Sequence, residues 1–237
     1  MIRRDKIEYS EKRRKPDKAA SYDTKYEREI HKVISDRREK RLLRSLLEPV
    51  GRQERLLDVP CGAGRLSGLF AEGAERVYEV DYSREMLKLC RQNARSYQPL
   101  LASASAFQLP FPDRAFDVAV SIRLSHHIPD LEGRLHHLRE LFRTSRRYVL
   151  ATFFCEESLK NRLRNVYRRF GGKKRAKYTL SRDHVRELAR QCDFRVVKEK
   201  YLSRLFSGHL FVLFEKVERP RGPSCRGWAS RWRCSSR

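Results

Sequence analysis

Arg55-Leu56-Leu57-Asp58-Val59 reads as a short buried strand that runs straight into a glycine-rich turn, Pro60 to Gly64, and then into a helix over Arg65–Gly73. A second strand over Arg76–Val80 closes on Asp81, and Ser83 is placed to cap a helix that runs through Ala94. A strand handing over to a helix through glycines, followed at once by another strand and helix, admits few folds. It is the start of a parallel sheet with crossover helices.

The alternation continues along the chain. A weaker third strand is expected over Leu100–Ala104, a β-rich fourth over Phe116–Ile122, and a fifth over Tyr148–Phe154. Leu131–Phe142 reads as a helix with Leu131, Leu135, Leu138 and Leu141/Phe142 on one face. A further helix, Ser181–Cys192, leads to two strands, Phe194–Tyr201 and His209–Lys216, whose short connection predicts an antiparallel hairpin at one edge. The expected fold class is therefore α/β: a doubly wound, Rossmann-like sheet, mostly parallel with an antiparallel C-terminal edge strand, and helices on both faces.

The 237 residues suit one domain with appendages. Residues 1–20 read as a basic flexible arm and 219–237, rich in Pro, Gly, Ser and Arg, as a disordered basic tail. Between them, 21–218 divides into a helical segment (21–48, ended near Pro49), a core (51–154), a basic amphipathic segment (156–177), and the closing helix and hairpin (181–216). The net charge of +24 is unevenly spread: residues 51–150 contribute only +3, whereas 151–237 contribute +15. The basicity thus belongs to what is attached to the core, and points to a partner or substrate rather than to the fold. Lys160 to Lys177 holds nine basic residues and no acidic one, and Leu159, Leu163, Val166, Tyr167 and Phe170 recur along it at helical spacing up to Gly171-Gly172. Such a helix can lie on an anionic membrane, grip a phosphate-bearing partner, or simply cover the core with a solvated outer face.

No apolar h-region follows the first basic residues, and the longest apolar stretch, Tyr148 to Cys155, falls far short of the ~20 residues of a membrane span. Six scattered cysteines without a C-x-x-C pair predict reduced thiols in a cytoplasmic protein, peripheral at most to the inner membrane surface. His126, His127, His136 and His137 lack a carboxylate or Cys at ligand spacing, so no metal is expected from them. His31, His184 and His209 read as surface or packing residues.

In open α/β sheets, ligands sit beyond the carboxyl ends of the strands. Gly62 and Gly64 allow a tight turn and close backbone approach there, and Asp81 is placed to accept from a ribose diol. Asp58, immediately before the turn, would repel a pyrophosphate but suits a cationic ligand carrying an amino group, such as S-adenosylmethionine.

Here the sequence resembles the class I S-adenosylmethionine-dependent methyltransferases, particularly the type 11 group that includes quinone-biosynthesis enzymes. The matching stretches are LLDVPCGAGRL (56–66), VDYSREML (80–87), LPFPDRAFDVAVS (109–121) and HHIPD (126–130). The resemblance implies S-adenosyl-L-methionine as cofactor, with Asp58, Gly62 and Gly64 cradling its methionine part and Asp81 on its ribose. Tyr82 and Met86 would lie near the adenosine, and Ser105, Ala106 and Phe107 against the adenine. Two residues depart from the family pattern. Pro60 replaces the usual first glycine and removes a backbone donor, and Ser105 replaces the Asp that usually meets the adenine amino group. Arg123, His126 and His127 follow strand four, where the family's acceptor site opens. A histidine there can take a proton and an arginine can hold an anion. The resemblance also makes the basic segment part of an acceptor lid. These readings predict a methyltransferase for a small-molecule or lipid-like, anionic acceptor. The alternatives are an RNA methyltransferase using its basic surface for phosphates, or a degenerate, non-enzymatic basic binding module. The sequence leaves the oligomeric state open.

Overall fold

The computed structural model describes residues 30–94, 96–170, 177–203 and 207–217. The expected arm (1–20), the first part of the helical segment (21–29), the Gly171-Gly172 helix stop with Lys173, Lys174 and Arg175, and the tail (219–237) lie outside the described residues.

Seven strands form one sheet in the order β3-β2-β1-β4-β5-β7-β6. They are β1 (Gln53–Asp58), β2 (Ala74–Asp81), β3 (Leu100–Ser103), β4 (Phe116–Ser121), β5 (Ser145–Phe154), β6 (Phe194–Tyr201) and β7 (His209–Lys216). The helices are α1 (Ile30–Leu47), α2 (Ser67–Gly73), α3 (Arg84–Asn93), α4 (Leu131–Thr144), α5 (Leu159–Arg169) and α6 (Arg182–Gln191). β1 to β5 pair in parallel, and β7 runs antiparallel to both β5 and β6. The hairpin sits at the sheet edge as expected. Within it the reversed strand lies one place in, and β6 forms the rim.

Side chains alternate across the sheet with period two, and each face meets its own helices. Leu56, Val118, Val120, Leu150, Phe211 and Leu213 pack with Leu43 and Leu46 of α1 and Leu69 and Phe70 of α2. Leu57, Ala119, Val149, Ala151, Phe153, Val212 and Phe214 pack with Leu138, Leu141 and Phe142 of α4 and Val185, Leu188 and Ala189 of α6. β4 is buried along its whole length, which suits its central Val118-Ala119-Val120 run. Ser83, Asp130 and Ser181 each accept a backbone N–H as N-caps of α3, α4 and α6. β5 begins three residues before Tyr148. Ser145 is buried with its Oγ bonded to Tyr148 O at 2.6 Å, and Arg146 pairs with Asp117, so polar contacts rather than an apolar pattern extend the strand.

The apolar stripe of α5 does not cover the core. Leu159, Leu163, Val166, Tyr167 and Phe170 are all exposed, Phe170 by 84%. The helix is held instead at its start, where buried Asn161 donates to Cys155 O at 2.7 Å.

Candidate active site

The parallel strands β1, β2 and β4 end side by side, with Asp58 paired in register to Glu79 and Val120. The glycine turn springs from this end. Val59 N donates to Val120 O at 3.0 Å and Cys61 N to Val80 O at 2.9 Å, so the turn is stitched to both neighbouring strands. Gly62 and Gly64 have φ of +58° and +78°, a region that costs other residues steric strain. A Cβ on Gly62 would meet nothing within 4 Å, which marks the open side of the turn. A Cβ on Gly64 would press on Cys90 Sγ at 2.9 Å, which marks its packed side. Met86 is buried beneath the turn against Ala63, so it supports the loop from below. Pro60 is preceded by a cis peptide bond, and the turn keeps its strand contacts on either side of it.

Asp81 anchors the turn. Its Oδ2 accepts Gly62 N at 3.0 Å and its Oδ1 accepts Ser83 N at 2.8 Å. A carboxylate offers about four lone-pair sites, so each oxygen keeps capacity for a hydroxyl donor. Tyr82 stands exposed beside it. Asp58 is 2% exposed, and burial first, then the Glu79 carboxylate, pushes its pKa well above the ordinary range. The Arg65 guanidinium acts on it in the opposite direction, and the Asp81 carboxylate adds to the upward push.

The segment after β3 is held from behind by α4. Ser105 Oγ accepts Phe107 N at 3.2 Å, closing a local turn. His137 is fully buried between Ser121 Oγ (2.9 Å) and Ala106 O (3.1 Å), and His136 Nε2 lies 2.7 Å from Phe107 O. Burial lowers the His137 pKa to about 4, so the ring is neutral and serves as a brace. The pair His136-His137 was legible only as a histidine doublet. Its spacing toward the 105–107 carbonyls needs the fold.

Arg123 adopts φ +64°, a conformation that costs a bulky residue on the order of 1–3 kcal/mol. Its N–H donates to Thr152 Oγ1 at 2.7 Å, and its guanidinium forks onto Glu39 of α1. Glu39, fully buried, also meets Arg65 at 2.8 Å, and Arg65 pairs with Asp36. The geometry thus commits Arg123 to clamping α1 over the turn, where the sequence suggested an anion ligand. Glu39 and Asp36 carried no local signal, because their partners lie far away in sequence.

His126 and His127 sit in ring contact (4.1 Å between centroids), with Phe154 4.5 Å and His209 5.0 Å from His126. His209 therefore belongs to this face and not to the surface. Nδ1 of both His126 and His209 is buried without a hydrogen-bond partner among the described residues. Burial first, then neighbouring cationic groups, lowers their pKa values to about 2 and about 3. Lys160 and Lys177 contribute to that field, and Lys177 Nζ lies 5.6 Å from the centre of the Phe154 ring. His126, His127, His209 and Phe154 thus form a half-buried cluster of rings beyond the end of β4, with Lys160 and Lys177 in its field.

Residues 57–148 match the family described as Methyltransferase domain. The chain is 34% identical over 93 residues to the malonyl-[acyl-carrier protein] O-methyltransferase of Serratia marcescens, covering 39% of this chain and 34% of that protein. It is 26% identical over 100 residues to the demethylmenaquinone methyltransferase of Tropheryma whipplei, covering 42% of each. The chain thus spans between a third and less than half the length of these two relatives. The fold is also that of the magnesium protoporphyrin IX methyltransferase of Synechocystis PCC 6803 crystallised with SAH, with a TM-score of 0.65 at 17% identity over 79% of this chain and 88% of that one.

Proposed function

We propose that the chain, whose residues 57–148 match the family described as Methyltransferase domain, is a class I, type 11 S-adenosylmethionine-dependent methyltransferase acting on a small, anionic, lipid-like acceptor. One observation carries the cofactor reading: Asp58 and Asp81 stand at neighbouring strand ends, and Asp81 holds Gly62, whose outer side is open. The residues present fit the ligand. Asp58 suits the ammonium, the Gly62–Gly64 backbone the methionine chain, and Asp81 the ribose hydroxyls, with Ser105 to Phe107 lining the adenine side. When bound, S-adenosylmethionine supplies an electrophilic methyl group, and what the protein must add is mostly positioning.

His126, kept neutral by burial, can accept a hydrogen bond from an acceptor hydroxyl at its free Nδ1. His127, half-buried beside it, is placed to take the proton that a hydroxyl acceptor releases. Arg123 positions this loop through Glu39. Phe154 and His209, in ring contact at 4.3 Å, back the proposed acceptor side.

The acceptor class rests on α5. Its exposed stripe alternates with Lys160, Arg162, Arg164 and Arg169, and that pairing of apolar and cationic surface suits an anionic membrane face. An RNA backbone would use the charge but leave Leu163, Val166 and Phe170 in water, so the stripe favours a lipid-borne acceptor over a nucleic acid. Among the described residues no helix is long and apolar enough to cross a membrane, so any attachment would lie in the interface plane.

Calorimetric titration with S-adenosylhomocysteine tests the cofactor site. Micromolar binding weakened by both Asp58→Ala and Asp81→Ala is the expected result. A folded protein that does not bind overturns the enzyme reading and leaves a basic scaffold.

A further inference from the structure

Beneath the glycine turn, on its packed side, three side chains converge that neither the proposed cofactor site nor the ring cluster employs. Cys61 lies in the turn, Glu79 on β2 two residues before Asp81, and Cys90 on α3. The two sulfurs and a Glu79 carboxylate oxygen all lie within 4.8 Å of one another. All three residues are buried, Glu79 and Cys90 completely. Glu79 accepts from the Cys90 thiol and, at 3.1 Å, from the Tyr97 hydroxyl.

The charge balance of this pocket is unusual. Glu79, Asp58 and Asp81 influence one another electrostatically, and the cation that acts on Asp58 is Arg65, which is itself paired with Asp36 and Glu39. A carboxylate with no solvent exposure must be protonated, paired with a cation, or bound to a metal. Two thiols and a carboxylate brought together from three separate elements are a donor set for a borderline-soft divalent ion. Hard alkaline-earth ions, which take oxygen ligands, do not fit it. The sequence gives no hint of this site, since the spacing 61, 79, 90 matches no cysteine-pair pattern and Glu79 reads simply as strand.

We propose that Cys61, Glu79 and Cys90 bind one zinc ion, which ties the glycine turn to β2 and α3. Binding displaces the two thiol protons to solvent, and the two thiolates and one carboxylate leave the Zn²⁺ site with a net charge of −1. Tyr97 donates to the liganding carboxylate from outside and fixes its orientation. The fourth position falls to water or to another group at the same spot. The role is structural: Cys61 adjoins Gly62, so the ion stiffens the loop from the face opposite the cofactor.

Cobalt(II) substitution tests the site without relying on any reaction. The reduced full-length chain, freed of metal, is titrated with Co²⁺ and followed by absorption. A thiolate-to-cobalt charge-transfer band that saturates at one equivalent and is discharged by one equivalent of Zn²⁺ is expected. Cys61→Ser and Cys90→Ser should each lose most of that band, and Cys192→Ser should keep it. Absence of the band in the folded wild-type chain overturns the site, as does its survival in the Cys61→Ser/Cys90→Ser double variant. Should the variants fail to fold, peptide mapping of the wild-type chain after alkylation decides. In mild denaturant, where the buried thiols react, Zn²⁺ must slow labelling of Cys61 and Cys90 and leave that of Cys192 unchanged, and equal rates with and without Zn²⁺ reject the proposal. None of these readouts involves S-adenosylmethionine, so the metal site stands or falls apart from the cofactor reading.

Discussion

Arg123 reaches both carboxylate oxygens of Glu39, at 2.9 and 3.0 Å, so a residue at the end of β4 is forked onto a fully buried acid of α1. The contact links α1, outside the matched residues 57–148, to the strand end beside His126 and His127. Removing one member of such a buried pair typically costs 3–5 kcal/mol. We expect Glu39→Ala to lower stability in urea by about 3 kcal/mol, and Glu39→Gln, which keeps one acceptor oxygen, to lower it less. Equal stability of Glu39→Ala and wild type would mean that α1 is not held by this clamp.

The two glycines of the turn should separate stability from binding. Gly64→Ala drives a Cβ against Cys90 Sγ at an unfavourable φ, so a loss of about 2 kcal/mol in unfolding free energy is expected. Gly62→Ala meets open space within the protein, and its strain alone costs about 1 kcal/mol. Its methyl group points into the open side of the turn, where the proposed cofactor site lies. Calorimetry should therefore show a larger loss of S-adenosylhomocysteine affinity for Gly62→Ala than for Gly64→Ala.

His137 sets a pH dependence whose sign is fixed by its burial. Its folded pKa, near 4, lies below the ordinary imidazole value of 6.5, so the unfolded chain takes up a proton that the folded chain refuses. The stability it contributes is complete above pH 6.5 and is lost as pH falls toward 4, on the order of 3 kcal/mol in all. Unfolding curves at pH 7 and pH 5 should diverge more for wild type than for His137→Asn. Parallel pH slopes for the two proteins would assign the effect to other groups.

On α5, Leu163→Ser combined with Phe170→Ser removes apolar surface that the core does not use. Stability should stay within about 0.5 kcal/mol, while co-sedimentation with anionic phosphatidylserine-containing vesicles should fall several-fold. Unchanged sedimentation would remove the membrane from the functional reading.

Much of this could be read from the chain because the sheet is built on local rules. Leu56-Leu57 and Val118-Ala119-Val120 each send neighbours to opposite faces, and the glycines mark where a strand gives way to a helix. The hairpin bounds at 194–201 and 209–216 follow from the same alternation. The contacts that shape the site obey no local rule. Arg123 looks like a free cation until the fold brings Glu39, 84 residues away, against it. His209 reads as a surface or packing residue, with no sign that β7 sets it beside His126. The pattern starts the fifth strand at Tyr148, and only the Asp117–Arg146 pair across the sheet accounts for its beginning at Ser145. Charge pairs and long-range ring contacts leave no period in a sequence.

The reversal of β7 has one more consequence. Every parallel strand delivers its last residue to the ligand end of the sheet, but β7 delivers its first, His209, just after the loop that joins it to β6. A change in that connection would alter the surroundings of His126 and Phe154 while leaving Asp58, Gly62 and Asp81 on other strands undisturbed. If the proposed acceptor side is right, exchanging the hairpin connection should change acceptor preference without changing S-adenosylhomocysteine affinity.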